Sequence, residues 1–279
     1  MLNVSNVFSE DKVIYGDDNR KDLYDVENLQ FVEFAKSTLA MIPNTLIKPL
    51  SNSEVIIAGN TLAEESKVCL NERFAMQPTS SVCSGFLLGE DLLVTAGHCI
   101  VDQRDCDIHS WVLDYSYNTS KQLNQTAFIL PSENVFQCKE IIARSQDPIS
   151  LNDYAVIKLD RKSNRTPLKF RTEGAVSPNA NLVVIGNPSG LPTKVSDNGY
   201  VRKNGNDFYF QTNLDSFSGN SGSAVIDANS GLVEGILVRG EVDYSYDRYN
   251  KCFRPKYCGN HLCRGEDVTR ITNLKGIIF

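Results

Sequence analysis

From about residue 53 the chain is cut into short apolar or alternating runs. They read "EVIIAG", "SGFLLG", "DLLVTAG", "SWVLDYSY", "TAFIL", "DYAVIKLD", "NLVVIG", "DFYFQTN", "SAVID", "LVEGILVRG" and "VTRITNL", with Gly, Pro, Asn and Asp between them. A helix needs a longer periodic stretch, whereas many short strands with turn residues between them close into a sandwich or barrel. The expected fold class is therefore all-β. Ahead of these runs, "QFVEFAKSTLAM" is the best helix candidate, spanning Gln30 to Met41. Phe31, Phe34 and Ala35 recur at helical spacing and Pro43 stops the pattern. "KVIYG", Lys12 to Gly16, is a short β-branched and aromatic run followed by the turn "DDNR". The closing "TRITNLKGIIF" fits a strand or a terminal helix. The polar "DRKSNRTPLKF", Asp160 to Phe170, is the candidate linker between two halves.

The 279 residues suffice for one large domain or two small ones. A formal net charge of −6 gives no basic footprint for nucleic acid and no polybasic membrane patch. No apolar run approaches the roughly eighteen residues of a membrane-spanning helix. Met1 to Ser9 has neither a basic start nor a long apolar stretch, so it does not read as an intact secretion signal. The eight cysteines, an even number, fit a disulfide framework made in an oxidising compartment. That points to a secreted or periplasmic protein.

Three stretches carry residues that suit chemistry. His98 ends the strand-like run "LLVTAGHCI", Asp153 opens "NDYAVIKLD", and Ser221 sits in "GNSGS". Taken singly, each has a bland reading as a polar residue at a strand end or turn. His109 and His261 lie in polar surroundings and read as surface. A serine hydroxyl is a weak nucleophile unless an imidazole takes its proton, and the imidazole needs an acceptor to fix its tautomer. Glycines beside the serine let backbone N–H groups turn outward toward a developing oxyanion, at about 3 kcal/mol per donor.

Together, "TAGHC", "DYAVIKL" and "GNSGSAV" in the order His, Asp, Ser resemble the chymotrypsin-type serine proteases. "TAGHC" is similar to the trypsin-side signature. "GNSGS" and "VIYGDDNR" resemble bacterial glutamyl endopeptidases and related secreted bacterial proteases. The resemblance is close over about residues 75–279 and loose over residues 13–74. It implies two six-stranded Greek-key β-barrels around a catalytic cleft, with a leader or propeptide remnant at 1–12. Residues 13–160 would form the half carrying His98 and Asp153, and residues 161–279 the half carrying Ser221. The implied roles are His98 as general base and then acid, Asp153 as its orienting partner, and Ser221 as nucleophile. The N–H groups of Gly219 and Ser221 would form the oxyanion hole. The implied substrates are proteins or peptides, cut by a monomer that uses no cofactor and no metal. A binding protein that has lost catalysis is the non-enzyme alternative, although all three triad candidates stand.

The family resemblance also implies a Cys83–Cys99 disulfide pinning the histidine loop, worth roughly 3 kcal/mol for a loop of that size. Cys106 with Cys138 is the next expected pair. Cys69, Cys252, Cys258 and Cys263 allow three pairings, which stay open. "CFRPKYCGNHLC" also holds His261 and so offers a zinc alternative, but without a C-x-x-C pair a disulfide-bound loop is preferred.

Two specificities compete. The glutamyl endopeptidases carry a histidine on the strand after the serine, where this chain has Leu237. Trypsin-like enzymes carry an aspartate six residues before the nucleophile, here Asp215, and a pocket-wall glycine, here Gly240. Glu266 is a further acid near that place. The expectation is cleavage after Arg or Lys, with a neutral or broad preference as alternative. Asn220 replaces the aspartate that in trypsin pairs with a new N-terminus. The likeness of "VIYGDDNR" to mature protease starts nevertheless suggests processing near Lys12–Val13.

Overall fold

The computed structural model describes residues 13–119, 122 and 125–278. The expected leader at 1–12, including Lys12 of the expected processing site, lies outside the described residues. The chain opens with two short strands, β1 (Ile14–Tyr15) and β2 (Arg20–Asp22), and helix α1 (Leu29–Ala35). The first barrel uses β3 (Thr38–Pro43), β6 (Cys83–Leu87), β7 (Leu92–Thr95), β8 (His109–Leu113), β10 (Val135–Gln146) and β11 (Asp153–Leu159). It closes in the order β10-β11-β7-β6-β3-β8. Beside it, β4 (Ile47–Pro49), β5 (Glu54–Ala58) and β9 (Ala127–Pro131) form a three-stranded sheet, and helices α2 (Leu62–Glu65) and α3 (Gln103–Ile108) fill connections.

The second barrel uses β12 (Asn181–Gly186), β13 (Lys194–Lys203), β14 (Tyr209–Thr212), β15 (Ala224–Asp227), β16 (Val233–Arg239) and β20 (Glu266–Arg270). The order is β12-β15-β16-β20-β14-β13, and β12 pairing with β13 closes the ring. Two six-stranded antiparallel barrels result, as the sequence leads one to expect. Between β16 and β20 the chain makes an excursion. It contains the hairpin of β17 (Tyr244–Asp247) and β18 (Cys252–Pro255), then β19 (Tyr257–Cys258).

Long-range pairing changes some local readings. The helix expected over 30–41 ends at Ala35, and Thr38–Met41 enters β3. There Leu39 lies between Gly85 of β6 and Leu113 of β8, so two flanking strands outweigh the helical propensity of the segment. The polar stretch 160–170 lies between β11 and β12. The start of the chain, grouped by sequence with the first half, pairs instead with the second: Ile14 with Tyr257 and Arg20 with Ser196. The closing segment completes β20 through Thr269 and Arg270 and then makes one 3-10 turn at Ile271–Leu274.

One apolar core runs through both barrels, joining Leu93 and Ile157 of the first to Val183 and Ile236 of the second. The two barrels thus share one continuous apolar core. All eight cysteines pair, as Cys83–Cys99, Cys106–Cys138, Cys69–Cys252 and Cys258–Cys263. Cys252, Cys258 and Cys263 are therefore committed to disulfides, and the zinc alternative for "CFRPKYCGNHLC" falls away. His261 is exposed, with its Nδ1 3.2 Å from the Tyr200 hydroxyl. His109 is half-buried, its Nδ1 2.9 Å from the Asp105 carbonyl one helical turn earlier. No helix among the described residues is long and apolar enough to cross a membrane.

Candidate active site

The antiparallel pairing of β7 with β11 sets the first half of the site. Thr95 lies opposite Ala155, so the turn after β7 and the first residue of β11 sit side by side. That turn carries His98, and the first residue of β11 is Asp153. The His98 N–H donates to Asp153 Oδ1 at 3.1 Å, and His98 Nδ1 lies 2.8 Å from Oδ2. A carboxylate only accepts, so Nδ1 carries the proton and Nε2 is left as the basic nitrogen. Arg144 of β10 holds the turn from outside, donating through Nε to the carbonyls of Gly97 and Ile100 at 2.8 and 2.7 Å.

Asp153 is buried, with 3% of its surface exposed. Burial would raise its pKa. The hydrogen bond and charge of His98 and the charge of Arg239 outweigh it and hold the carboxyl below the usual carboxylate value. An ionised, oriented Asp153 keeps the imidazole tautomer fixed and stabilises the charge it gains on taking a proton.

Ser221 comes from the second barrel, in the turn between β14 and β15. The turn docks directly onto the first barrel. Ser84 N–H donates to the Ser221 carbonyl at 2.8 Å, and Ser84 Oγ donates to the Gly219 carbonyl at 3.0 Å. Gly222 makes this approach possible. It has φ +88°, and a Cβ there would lie 2.1 Å from the Ser84 carbonyl oxygen and 2.2 Å from Thr95 Oγ1. Cys99, next to His98, has its sulfur 3.8 Å from the Ser221 carbonyl. The histidine turn and the serine turn therefore meet at the seam between barrels. On the other side, Ser221 Oγ lies 3.5 Å from the carbonyl oxygen of Val238 on β16.

Asp215 sits at the base of the same loop but has other partners. Its Oδ1 accepts the Tyr15 N–H at 2.6 Å and its Oδ2 accepts the Asn19 N–H at 2.7 Å. It is 2% exposed, and burial pushes its carboxyl up to about 7 against the pull of those two donors. Spacing alone put Asp215 at the floor of a substrate pocket. Its two oxygens anchor the start of the chain beneath the serine loop.

The acid set against Gly240 is Glu266. A Cβ on Gly240 would fall 2.1 Å from Glu266 Oε2 and 2.3 Å from Oε1. Gly240 lies just past the end of β16, two residues after Val238, whose carbonyl faces Ser221 Oγ. Glu266 is fully buried. Leu237, where a glutamate-specific enzyme would place histidine, points into the second barrel's core with Val184, Phe210 and Val268.

The sequence profile of the trypsin-like peptidase domain matches residues 83–236, more than half of the chain. The chain belongs to the trypsin-like peptidase family. It is a trypsin-like serine peptidase, and the matched span contains His98, Asp153 and Ser221. A search of curated proteins finds no match. Among solved structures, the trypsin-like fold is shared with a Glu endopeptidase (TM-score 0.50, 16% identity, 95% of this chain and 97% of that one). It is shared also with the VesB protease of Vibrio cholerae (TM-score 0.52, 14% identity, 95% of this chain and 66% of that one). A third is the serine endoprotease of Yersinia pestis (TM-score 0.51, 14% identity, 91% of this chain and 65% of that one). At these identities the likeness concerns the fold of this trypsin-like peptidase and not its substrate.

Three residues of the site escaped the sequence reading. Arg144 and Arg239 are single charges at the ends of apolar strand runs, and Asp243, whose Oδ2 accepts the Ser218 N–H at 3.0 Å, lies in the excursion after β16. Only a lone charge interrupting an apolar run marked the two arginines. Nothing local marked Asp243.

Proposed function

We propose that this protein is an extracytoplasmic endopeptidase in which Ser221 attacks the scissile carbonyl. His98 takes its proton and later delivers it to the leaving amine, while Asp153 orients the imidazole and stabilises the positive charge it gains. The N–H groups of Gly219 and Ser221 receive the oxyanion. The observation that carries this reading is the two-point grip of Asp153 on His98, at a turn that meets the serine loop across the barrel seam. The four disulfides support an oxidising compartment.

The substrate preference we propose is a basic residue on the acyl side of the cut bond. Glu266 against Gly240 supports it, since a buried carboxylate at the end of the strand whose Val238 faces Ser221 suits a guanidinium or ammonium. Leu237 supports the exclusion of glutamate, because it gives an anionic side chain nothing to pair with.

The test is labelling with a fluorophosphonate probe, followed by peptide mapping and a peptide-library cleavage profile. The expected adduct is on Ser221, and Ser221→Ala loses hydrolysis by about 10⁴-fold or more while keeping its fold. A native protein that takes no label and cuts no peptide would establish the binding-protein alternative. Ester turnover without peptide turnover would make it an esterase.

A further inference from the structure

The loop before the nucleophile needs something to hold it. Asn220 is neutral and already engaged. Its Nδ2 donates to Ser216 Oγ at 2.9 Å and its Oδ1 accepts from Ser223 Oγ at 2.7 Å. It offers no charge that a new α-ammonium group would pair with. The preceding residues, Phe217, Ser218 and Gly219, must be ordered in another way if the Gly219 N–H is to face an oxyanion.

The hairpin β17–β18 packs against these residues. Asp243 Oδ2 accepts the Ser218 N–H at 3.0 Å. The Tyr244 ring lies 5.0 Å from that of Phe217, and its hydroxyl is 2.6 Å from Ser189 Oγ. Ser189 in turn donates its N–H to the Ser218 carbonyl at 2.5 Å. Ser218 is thereby held on its N–H by Asp243 and on its carbonyl by Ser189. From the opposite side the Arg20 guanidinium lies 4.1 Å from the Phe217 ring centroid.

The hairpin is itself fixed. The Cys69–Cys252 disulfide ties it to the segment after α2. Backbone bonds run alongside, from Cys69 N–H to the Phe253 carbonyl at 3.0 Å and from Phe253 N–H to the Lys67 carbonyl at 2.9 Å. Arg254 pairs with both Glu72 and Asp247. Lys256 N–H closes the excursion onto the Asp243 carbonyl at 2.9 Å.

We propose that Asp243 is a positioning residue for the oxyanion loop, acting with Tyr244 from the disulfide-anchored hairpin through Ser218. The inference rests on Gly219 and Ser221 being the oxyanion donors. It makes the order of that loop a property of the hairpin 241–256, in place of the charged pairing that Asn220 cannot form. A hydrogen bond that sets a donor one residue away affects the transition state more than substrate binding, because the oxyanion exists only there.

The experiment compares native protein, Asp243→Ala, Asp243→Asn and Tyr244→Phe on one peptide substrate, with fluorophosphonate labelling and thermal unfolding alongside. Asp243→Ala should lower kcat by about 10- to 100-fold with KM within about threefold, short of the loss from deleting a donor outright. Asp243→Asn keeps an acceptor oxygen and should recover most of that loss. Tyr244→Phe should cost a smaller factor, again in kcat. Native protein that neither labels nor hydrolyses would remove the peptidase reading. Native protein that does both, with Asp243→Ala turning over at the native rate, would overturn this inference and leave that reading intact. If Asp243→Ala fails to fold, Tyr244→Phe decides: an unchanged kcat overturns the inference and a lowered kcat with unchanged KM supports it.

Discussion

Arg239 of the second barrel places its Nη1 3.5 Å from Asp153 Oδ2, the oxygen that also faces His98 Nδ1. The same guanidinium reaches Asp267 Oδ2 through Nε at 3.3 Å and the Leu151 carbonyl through Nη2 at 2.9 Å. One cation thus links the second barrel to the carboxylate that orients the histidine and to the loop in front of β11.

Because Asp153 is held below the usual carboxylate value, its contribution to stability is present above that value and is lost as pH falls through the folded one. Arg239→Gln removes one of the charges that hold it down. The expected result is a loss of about 2 kcal/mol at pH 7, since hydrogen bonds to charged groups are worth roughly that much. As pH falls below about 4, where the unfolded carboxylate takes up a proton first, the gap between variant and native protein narrows. Peptide turnover at pH 7 should fall about tenfold as Asp153 loses its fixed position. Urea unfolding at pH 7 and pH 3.5, with turnover at pH 7, checks both statements. A gap that stays constant across pH would show that Arg239 does not act through Asp153.

Gly222→Ala should be among the most damaging single substitutions. Its Cβ would fall on the Ser84 carbonyl and Thr95 Oγ1 in a backbone conformation with φ +88°. Neither neighbour is the free end of a flexible side chain, so the serine turn must lift off the first barrel. Steric strain of this kind costs on the order of 1–3 kcal/mol, and the positive φ adds to it. Activity should fall further than stability, because Ser221 moves with the turn. Thermal unfolding alongside fluorophosphonate labelling separates the two effects.

The Cys83–Cys99 disulfide closes a 16-residue separation and ends next to His98. Replacing both cysteines by serine should cost about 3 kcal/mol by the loop-entropy argument. The substitution frees the histidine turn, which Arg144 then holds alone on its outer side. Turnover should therefore drop in protein that is still folded at low temperature, as read from far-UV circular dichroism and a rate at the same temperature. A native rate in the folded double variant would show that Arg144 suffices.

What the sequence made legible was local. Short runs with turn residues between them point to strands, and the triplet of motifs around His98, Asp153 and Ser221 points to where the catalytic chemistry is proposed. What it hid was non-local. The partners of Asp215 are Tyr15 and Asn19, about 200 residues earlier, and a count of six residues back from Ser221 carries no trace of them. Thr38 to Met41 continue an apolar pattern that suits a helix, and only the strands on either side turn them into β3. Arg239 and Asp153 stand 86 residues apart. Each miss is a contact between distant segments, which composition and periodicity do not encode.

Asp215 gives the clearest pH signature of the fold. Burial raises its carboxyl to about 7, so its protonated form is favoured in the folded protein. For a group raised on folding, the stability contribution is full below the unfolded value, about 3.9, and is lost as pH rises through the folded one. Asp215→Asn lacks this dependence. The expected outcome is that native protein loses stability relative to the variant between about pH 4 and pH 7, with no further change above. Chemical unfolding across that range measures it. A difference that grows in the opposite direction would mean that the Tyr15 and Asn19 donors keep the carboxylate ionised throughout.

The basic preference proposed above rests on Glu266 and Gly240. The carboxylate lies where any side chain at 240 would have to go. Glu266→Gln keeps the shape and removes the charge, so it tests charge alone. An arginine side chain entering beside Gly240 would meet a carbonyl and an amide in place of a carboxylate, and would lose its ion pair. Truncating one side of a buried charged pair costs several kcal/mol, so the ratio of Arg or Lys cleavage to Leu or Phe cleavage should fall by about 100-fold. Asp215→Asn should leave that ratio nearly unchanged, because the two Asp215 oxygens are taken up by the Tyr15 and Asn19 N–H groups. Gly240→Val should abolish cleavage after long basic residues by displacing the carboxylate. Matched Arg, Lys, Leu, Phe and Glu substrates on native protein and the three variants provide the measurement. A native preference for Glu or Phe would refute basic specificity altogether. A basic preference that survives in Glu266→Gln and collapses in Asp215→Asn would return the role to Asp215.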